Sequence, residues 1–200
     1  FRGPIVAHVT DFAEDSFPDH CLLPLEDSLL VSTGADHRIK LREVSDSGEV
    51  LGTYEIDADA ERPLSSIGNS LLSDGDRVWL ITGSGTSPRD PSGILVSELD
   101  AEYQPTEVAW FAADGQEFTF PTGSLLHNGY TFVTYDAREM TDSYLSPQEH
   151  PFQPRLMVLD DELNQVLDMA IGSGMGFAHV HPTLDVVGDQ LVVGWSMRAE

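Results

Sequence analysis

The sequence predicts an all-β fold. Three features predict it: short segments rich in β-branched and aromatic residues, Gly, Asn and Asp turn signals before them, and recurrence of that pattern roughly every 50 to 60 residues. Four apolar segments are alike: Leu29-Leu30-Val31-Ser32-Thr33-Gly34, Val78-Trp79-Leu80-Ile81-Thr82-Gly83, Thr131-Phe132-Val133-Thr134-Tyr135-Asp136 and Leu191-Val192-Val193-Gly194-Trp195-Ser196. Each follows a turn signal: Glu26-Asp27-Ser28, Asp74-Gly75-Asp76, His127-Asn128-Gly129 and Gly188-Asp189. Such residues tolerate the positive φ of tight hairpins. Apolar stretches at 21–25, 70–72, 124–126 and 183–187 precede the turns, so each unit opens with a hairpin.

A third strand is expected at 38–44, 93–99 and 155–159. Polar turns follow: Ser45-Asp46-Ser47-Gly48, Asp100-Ala101-Glu102 and Asp160-Asp161-Glu162. A fourth strand completes each unit at 50–56, 106–111 and 166–171. No stretch carries a helix period with caps. Four antiparallel strands repeated at this spacing are the sequence sign of propeller blades. The expected fold is therefore a β-propeller in one domain, with blades at roughly 20–57, 66–111 and 119–172 and an incomplete unit at 178–200. The segment 4–10 is either a strand closing the last blade, or the chain is part of a larger propeller. The partial propeller is the favoured expectation, and an open β-sandwich is the structural alternative. The chain starts at Phe1 without a recognisable signal peptide and is read as a processed form or a fragment.

The charge balance bounds the partners. There are 34 Asp and Glu against 10 Lys and Arg, a formal net charge of −24, and Lys40 is the single lysine. Such a surface repels nucleic acid and anionic membranes. No apolar run approaches the roughly 18 residues that span a bilayer. Dense carboxylates with almost no lysine fit a halophilic protein that stays hydrated in salt, or an ordinary acidic protein, with an extracellular or cell-surface location favoured. Cys21 is the only cysteine, which excludes an intrachain disulfide and a thiolate zinc cluster. It opens an apolar run and reads as a buried structural thiol.

At blade level the units resemble five-bladed glycosidase-type propellers and, more loosely, sialidase-like propellers. The residues that carry this are Arg62-Pro63 and His181-Pro182 before inner strands, the strand Val78-Trp79-Leu80, and third strands running into Leu99-Asp100 and Leu159-Asp160. Ser45-Asp46-Ser47-Gly48 resembles a degenerate sialidase Asp-box with Leu51 near the place of its aromatic. The resemblance implies a carbohydrate or other small-molecule ligand at the face where the inner strands begin. No full catalytic motif of a hydrolase family is present.

Candidate residues on that face follow from the strand pattern. Asp136 stands where the first two units have Gly34 and Gly83, and it opens the longest insertion, to about residue 154. A glycosidase needs two carboxylates. Asp136 or Glu139 can supply one, with Asp19 or Asp36 as the other; a solvated acidic surface is the alternative for all four. Arg62, Arg138, His20 and His37 are candidate substrate-binding residues, since loop cations on an acidic protein pair with local carboxylates or recognise anionic groups. His179 and His181 lie on one side of an extended strand and can hold a divalent metal, or serve as hydrogen-bonded structural histidines. Gly172-Ser173-Gly174-Met175-Gly176 lacks the following helix that a phosphate cradle requires and reads as a connection between blades. Trp79, Trp110 and Trp195 lie within strands and read as packing residues. The expected functions are a carbohydrate-active propeller, glycosidase-like or noncatalytic, then a module that binds a protein partner, then a His-centred metal-dependent enzyme.

Overall fold

The computed structural model describes residues 20–35, 38–57, 64–84, 93–112, 117–139, 153–171 and 178–198. Among them there are fourteen strands and no helix. The first blade contains β1 (His20–Pro24), β2 (Ser28–Ala35), β3 (Arg38–Ser45) and β4 (Val50–Asp57). The second contains β5 (Leu64–Ser73), β6 (Val78–Ser84), β7 (Gly93–Leu99) and β8 (Pro105–Ala112). The third contains β9 (Glu117–His127), β10 (Tyr130–Glu139), β11 (Gln153–Leu159) and β12 (Gln165–Ala170). A hairpin of β13 (Ala178–Val187) and β14 (Gln190–Arg198) starts a fourth unit. Each of the three blades is an antiparallel sheet in sequential strand order.

The sheets are arranged as a β-propeller. The first strand of each sheet packs against the preceding sheet: β5 on β1 and β2, β9 on β5, β6 and β7, and β13 on β9, β10 and β11. Apolar residues at the facing surfaces make the core. Between the first two blades lie Leu30, Ile39, Leu41 and Ile56 against Leu71, Leu80, Leu95 and Leu99. Between the second and third lie Trp79, Ile81, Ile94 and Val96 against Val133, Tyr135, Met157 and Leu159. Strand alternation explains this double use of each sheet, because successive side chains face opposite neighbours.

Polar side chains stitch the inner strands together. Cys21 Sγ accepts the Leu71 N–H at 3.1 Å and lies 3.9 Å from Ser70 Oγ, which is 2.7 Å from Ser124 Oγ. The cysteine is half-buried, less enclosed than the buried thiol its apolar run predicts, because it lies near the start of β1. Gly68 has φ +74°, and a Cβ there would come within 2.8 Å of Pro121 O, so glycine is required where β5 crosses β9. The inner strands β5, β9 and β13 also run further toward their starts than the apolar pattern predicts. Their first halves contain Gly, Pro and Ser, which hide a strand from hydrophobic periodicity.

The turns between third and fourth strands share one geometry. In each, the fourth residue bonds back to the first: Gly48 N to Ser45 O, Tyr103 N to Asp100 O and Leu163 N to Asp160 O. All three have positive φ (86°, 57° and 62°). Asp100 Oδ1 accepts the N–H groups of Glu102 and Gln104, and Asp160 Oδ1 accepts those of Glu162 and Asn164. These bonds offset the strain of a non-glycine residue in the left-handed region. The stretch resembling an Asp-box is thus the first-blade version of this turn, with Ser45 in the aspartate's place. On the hairpin, β14 has no third strand on its outer edge among the described residues, and Val192 and Trp195 are exposed.

Candidate functional site

One end of the molecule, the leading face, gathers the starts of β1, β5, β9 and β13 and the ends of β2, β6 and β10. Antiparallel order requires this, and it brings strand ends together that are far apart in sequence. Asp136 is near the end of β10, paired with Phe120 and Pro154. It is 3% exposed, and among the described residues it is the only buried residue with a charged side chain.

Its face of the sheet is defined by its neighbour two residues back. Thr134 Oγ1 donates to Pro182 O of β13 at 3.0 Å, so Thr134 and Asp136 look toward the fourth unit. Thr122 Oγ1 donates to the same carbonyl at 2.6 Å. Two hydroxyls therefore anchor the chain just after His181 at the junction that Asp136 faces. By the same alternation Gly34 faces the second blade and Gly83 the third, because Leu30 and Ile81 share their faces and pack there. The sequence alignment that puts Asp136 in a glycine position holds in three dimensions.

For other candidates the backbone alone is placed. His20 starts β1 opposite Thr33; Arg138 and Glu139 end β10 opposite Phe118 and Glu117. His179 is opposite Met197 in the β13–β14 hairpin, and His181 precedes Pro182 in β13. The side chains of these five residues lie outside the described residues, as do Asp19, Asp36, His37 and Arg62 altogether. Among the described residues no group of three or more His, Cys, Asp or Glu converges as a metal site. The segment 4–10 and the glycine-rich stretch 172–176 also lie outside them.

A second polar centre was not anticipated from sequence. Tyr135 OH donates to Asp168 with both oxygens at 2.8 Å, and Arg155 Nε donates to Tyr135 OH at 2.9 Å and to Asp168 Oδ1 at 3.1 Å. The three side chains join β10, β11 and β12 on the face toward the second blade. Burial of the phenol, then its bond to the Asp168 carboxylate and the charge there, hold the Tyr135 hydroxyl well above the ordinary phenol range. The available signal was an arginine and an aspartate within the otherwise apolar runs 154–159 and 166–170.

The antiparallel blades and their radial packing define the class of protein, a β-propeller. No family model matches the chain, and no curated protein matches it. Among solved structures, it is similar to a GH43 endo-arabinanase from Bacillus licheniformis, at 8% identity and a TM-score of 0.43, covering 91% of this chain and 94% of that one. It is also similar to a mutant of the Synechocystis apocarotenoid oxygenase, at 9% identity and a TM-score of 0.44, covering 78% of this chain. The matched part is 36% of the oxygenase chain, so this chain spans about a third of that protein's length.

Proposed function

We propose that this propeller is a carbohydrate-active protein of the glycosidase type, with its ligand on the leading face where the third blade meets the fourth unit. The observation that carries the reading is the burial of Asp136, a carboxylate enclosed at a position where the preceding two blades have glycine. Enclosing a charge is costly unless the surroundings compensate it, and a carboxylate held in low dielectric acts strongly on developing positive charge. Glycoside cleavage passes through an oxocarbenium-like state flanked by two carboxylates, about 5–5.5 Å apart for retention and about 6.5–9.5 Å for inversion. In this reading Asp136 is one carboxylate, and Asp19, Asp36 or Glu139 supplies the other. His20, His37, Arg62 and Arg138 then line the sugar-binding surface.

The test is hydrolysis of a panel of aryl glycosides, with oligosaccharide binding followed by calorimetry. Wild-type hydrolysis that falls about 10²–10⁴-fold in Asp136→Asn supports the catalytic form. Binding without hydrolysis, weakened in Asp136→Gly, supports the noncatalytic form. Hydrolysis unchanged in Asp136→Asn removes this residue from the mechanism, and wild-type protein that neither binds nor cleaves any sugar overturns the reading.

A further inference from the structure

We infer that the interface between the first and second blades holds one ordered water molecule, bound by Asn69 and Thr82. The two residues are cross-strand partners on β5 and β6. They are 5% and 1% exposed. Asn69 Nδ2 and Thr82 Oγ1 are buried and have no hydrogen-bond partner among the described residues. Ser32 Oγ, from β2 across the interface, donates to Asn69 Oδ1. That bond turns the amide so that its NH₂ points away from Ser32.

Buried polar groups almost always find a partner, and two adjacent ones without a partner mark a place for a third molecule. The chemistry selects its class. Asn69 Nδ2 only donates, so the ligand must carry a lone pair, which excludes a bare cation. Among the described residues, Leu30, Leu41, Leu71, Leu80 and Leu95 make the buried apolar cluster at this interface. Burying an anion among such side chains, in a protein of net charge −24, is costly. A water accepts from the amide and exchanges a further bond with the threonine hydroxyl, which meets the two-partner minimum of internal waters. On the first blade's facing surface Gly34 follows Ser32 by two residues and presents no side chain toward this place. The chain Ser32, Asn69, water, Thr82 thereby joins two sheets through an otherwise oily contact.

Two measurements decide it. A crystal structure of the wild-type protein that resolves ordered solvent is expected to contain one isolated solvent peak within about 3.2 Å of both Asn69 Nδ2 and Thr82 Oγ1. No peak there, or a flipped amide bonded directly to Thr82 Oγ1, overturns the inference. In denaturant unfolding, Thr82→Val lowers the folding equilibrium constant by about 5- to 30-fold, the loss expected for one buried hydrogen bond. Its effect and that of Ser32→Ala are non-additive, because both act through the same amide. A Thr82→Val variant as stable as wild type, or additive effects in the double variant, means that the interface is dry.

Discussion

The second and third blades solve the same packing problem with different chemistry. On the face that looks back to the preceding blade, the second presents Thr82, Leu95 and Trp110, and the third presents Tyr135 and Arg155 in the places of Thr82 and Leu95, with Asp168 beside them. On the opposite face, Gly83 in the second corresponds to Asp136 in the third. The backbone ladder is preserved, so a blade is a frame that tolerates either an apolar or a polar filling. The condition is satisfaction. Tyr135, Arg155 and Asp168 complete one another within their own sheet, whereas Asn69 and Thr82 reach outward for a partner.

The largest effect is expected from the apolar side of this contrast. Ile81 is fully buried where the second blade meets the third, so Ile81→Ala removes about 2–5 kcal/mol of stability, read by chemical denaturation. A change below that range breaks the picture of a tightly packed interface.

The polar side comes next. Arg155→Leu costs about 1–3 kcal/mol, because Asp168 is left partly buried without its cation. Replacing all three, as Tyr135→Phe with Arg155→Leu and Asp168→Leu, leaves no buried polar group without a partner and recovers most of the loss. A triple variant no better than the single one means that the triad positions the sheet beyond neutralising charge.

Tyr135 adds a pH dependence. Its hydroxyl is raised in the folded state above the ordinary value of 10.0, so the neutral phenol is the form the fold favours. Its contribution is complete below pH about 10 and is lost as pH rises from there through the folded value. Stability therefore falls in alkali, and Tyr135→Phe removes that part of the slope. Phenolate absorption from Tyr135 is expected only well above the ordinary phenol range, read as the difference between wild type and Tyr135→Phe in an alkaline titration.

The smallest effect belongs to the first blade, where Arg38 and Glu55 are 3.7 Å apart with side chains 60% and 52% exposed. Glu55→Gln changes stability by less than about 1 kcal/mol, and salt abolishes the difference. A salt-resistant loss larger than this sets the exposed pair level with the enclosed one and removes burial as the distinguishing variable.

Much of this architecture was legible in the order of residues. Val78-Trp79-Leu80-Ile81 and Ile94-Leu95-Val96 are continuous apolar runs because both faces of the second blade are covered. Turn residues such as Asn128-Gly129 mark the hairpins through their positive φ. Asp136 could be singled out because it breaks a repeated glycine. The polar triad could not, since Tyr135, Arg155 and Asp168 are 20 and 13 residues apart in successive strands, and only the pairing register brings them within bonding distance. Asn69 and Thr82 were likewise unremarkable among the many Ser, Thr and Asn of the chain.

Local chemistry, read residue by residue, determined that this chain makes strands, where they turn and how often the unit recurs. Those properties depend on side-chain shape and φ preference within a few residues. The tertiary structure decided which face of each strand meets which neighbour, that Asp136 is enclosed toward β13, and which hydroxyls find partners. Those outcomes depend on register and sheet-to-sheet packing, where a shift of one residue exchanges the two faces of a strand.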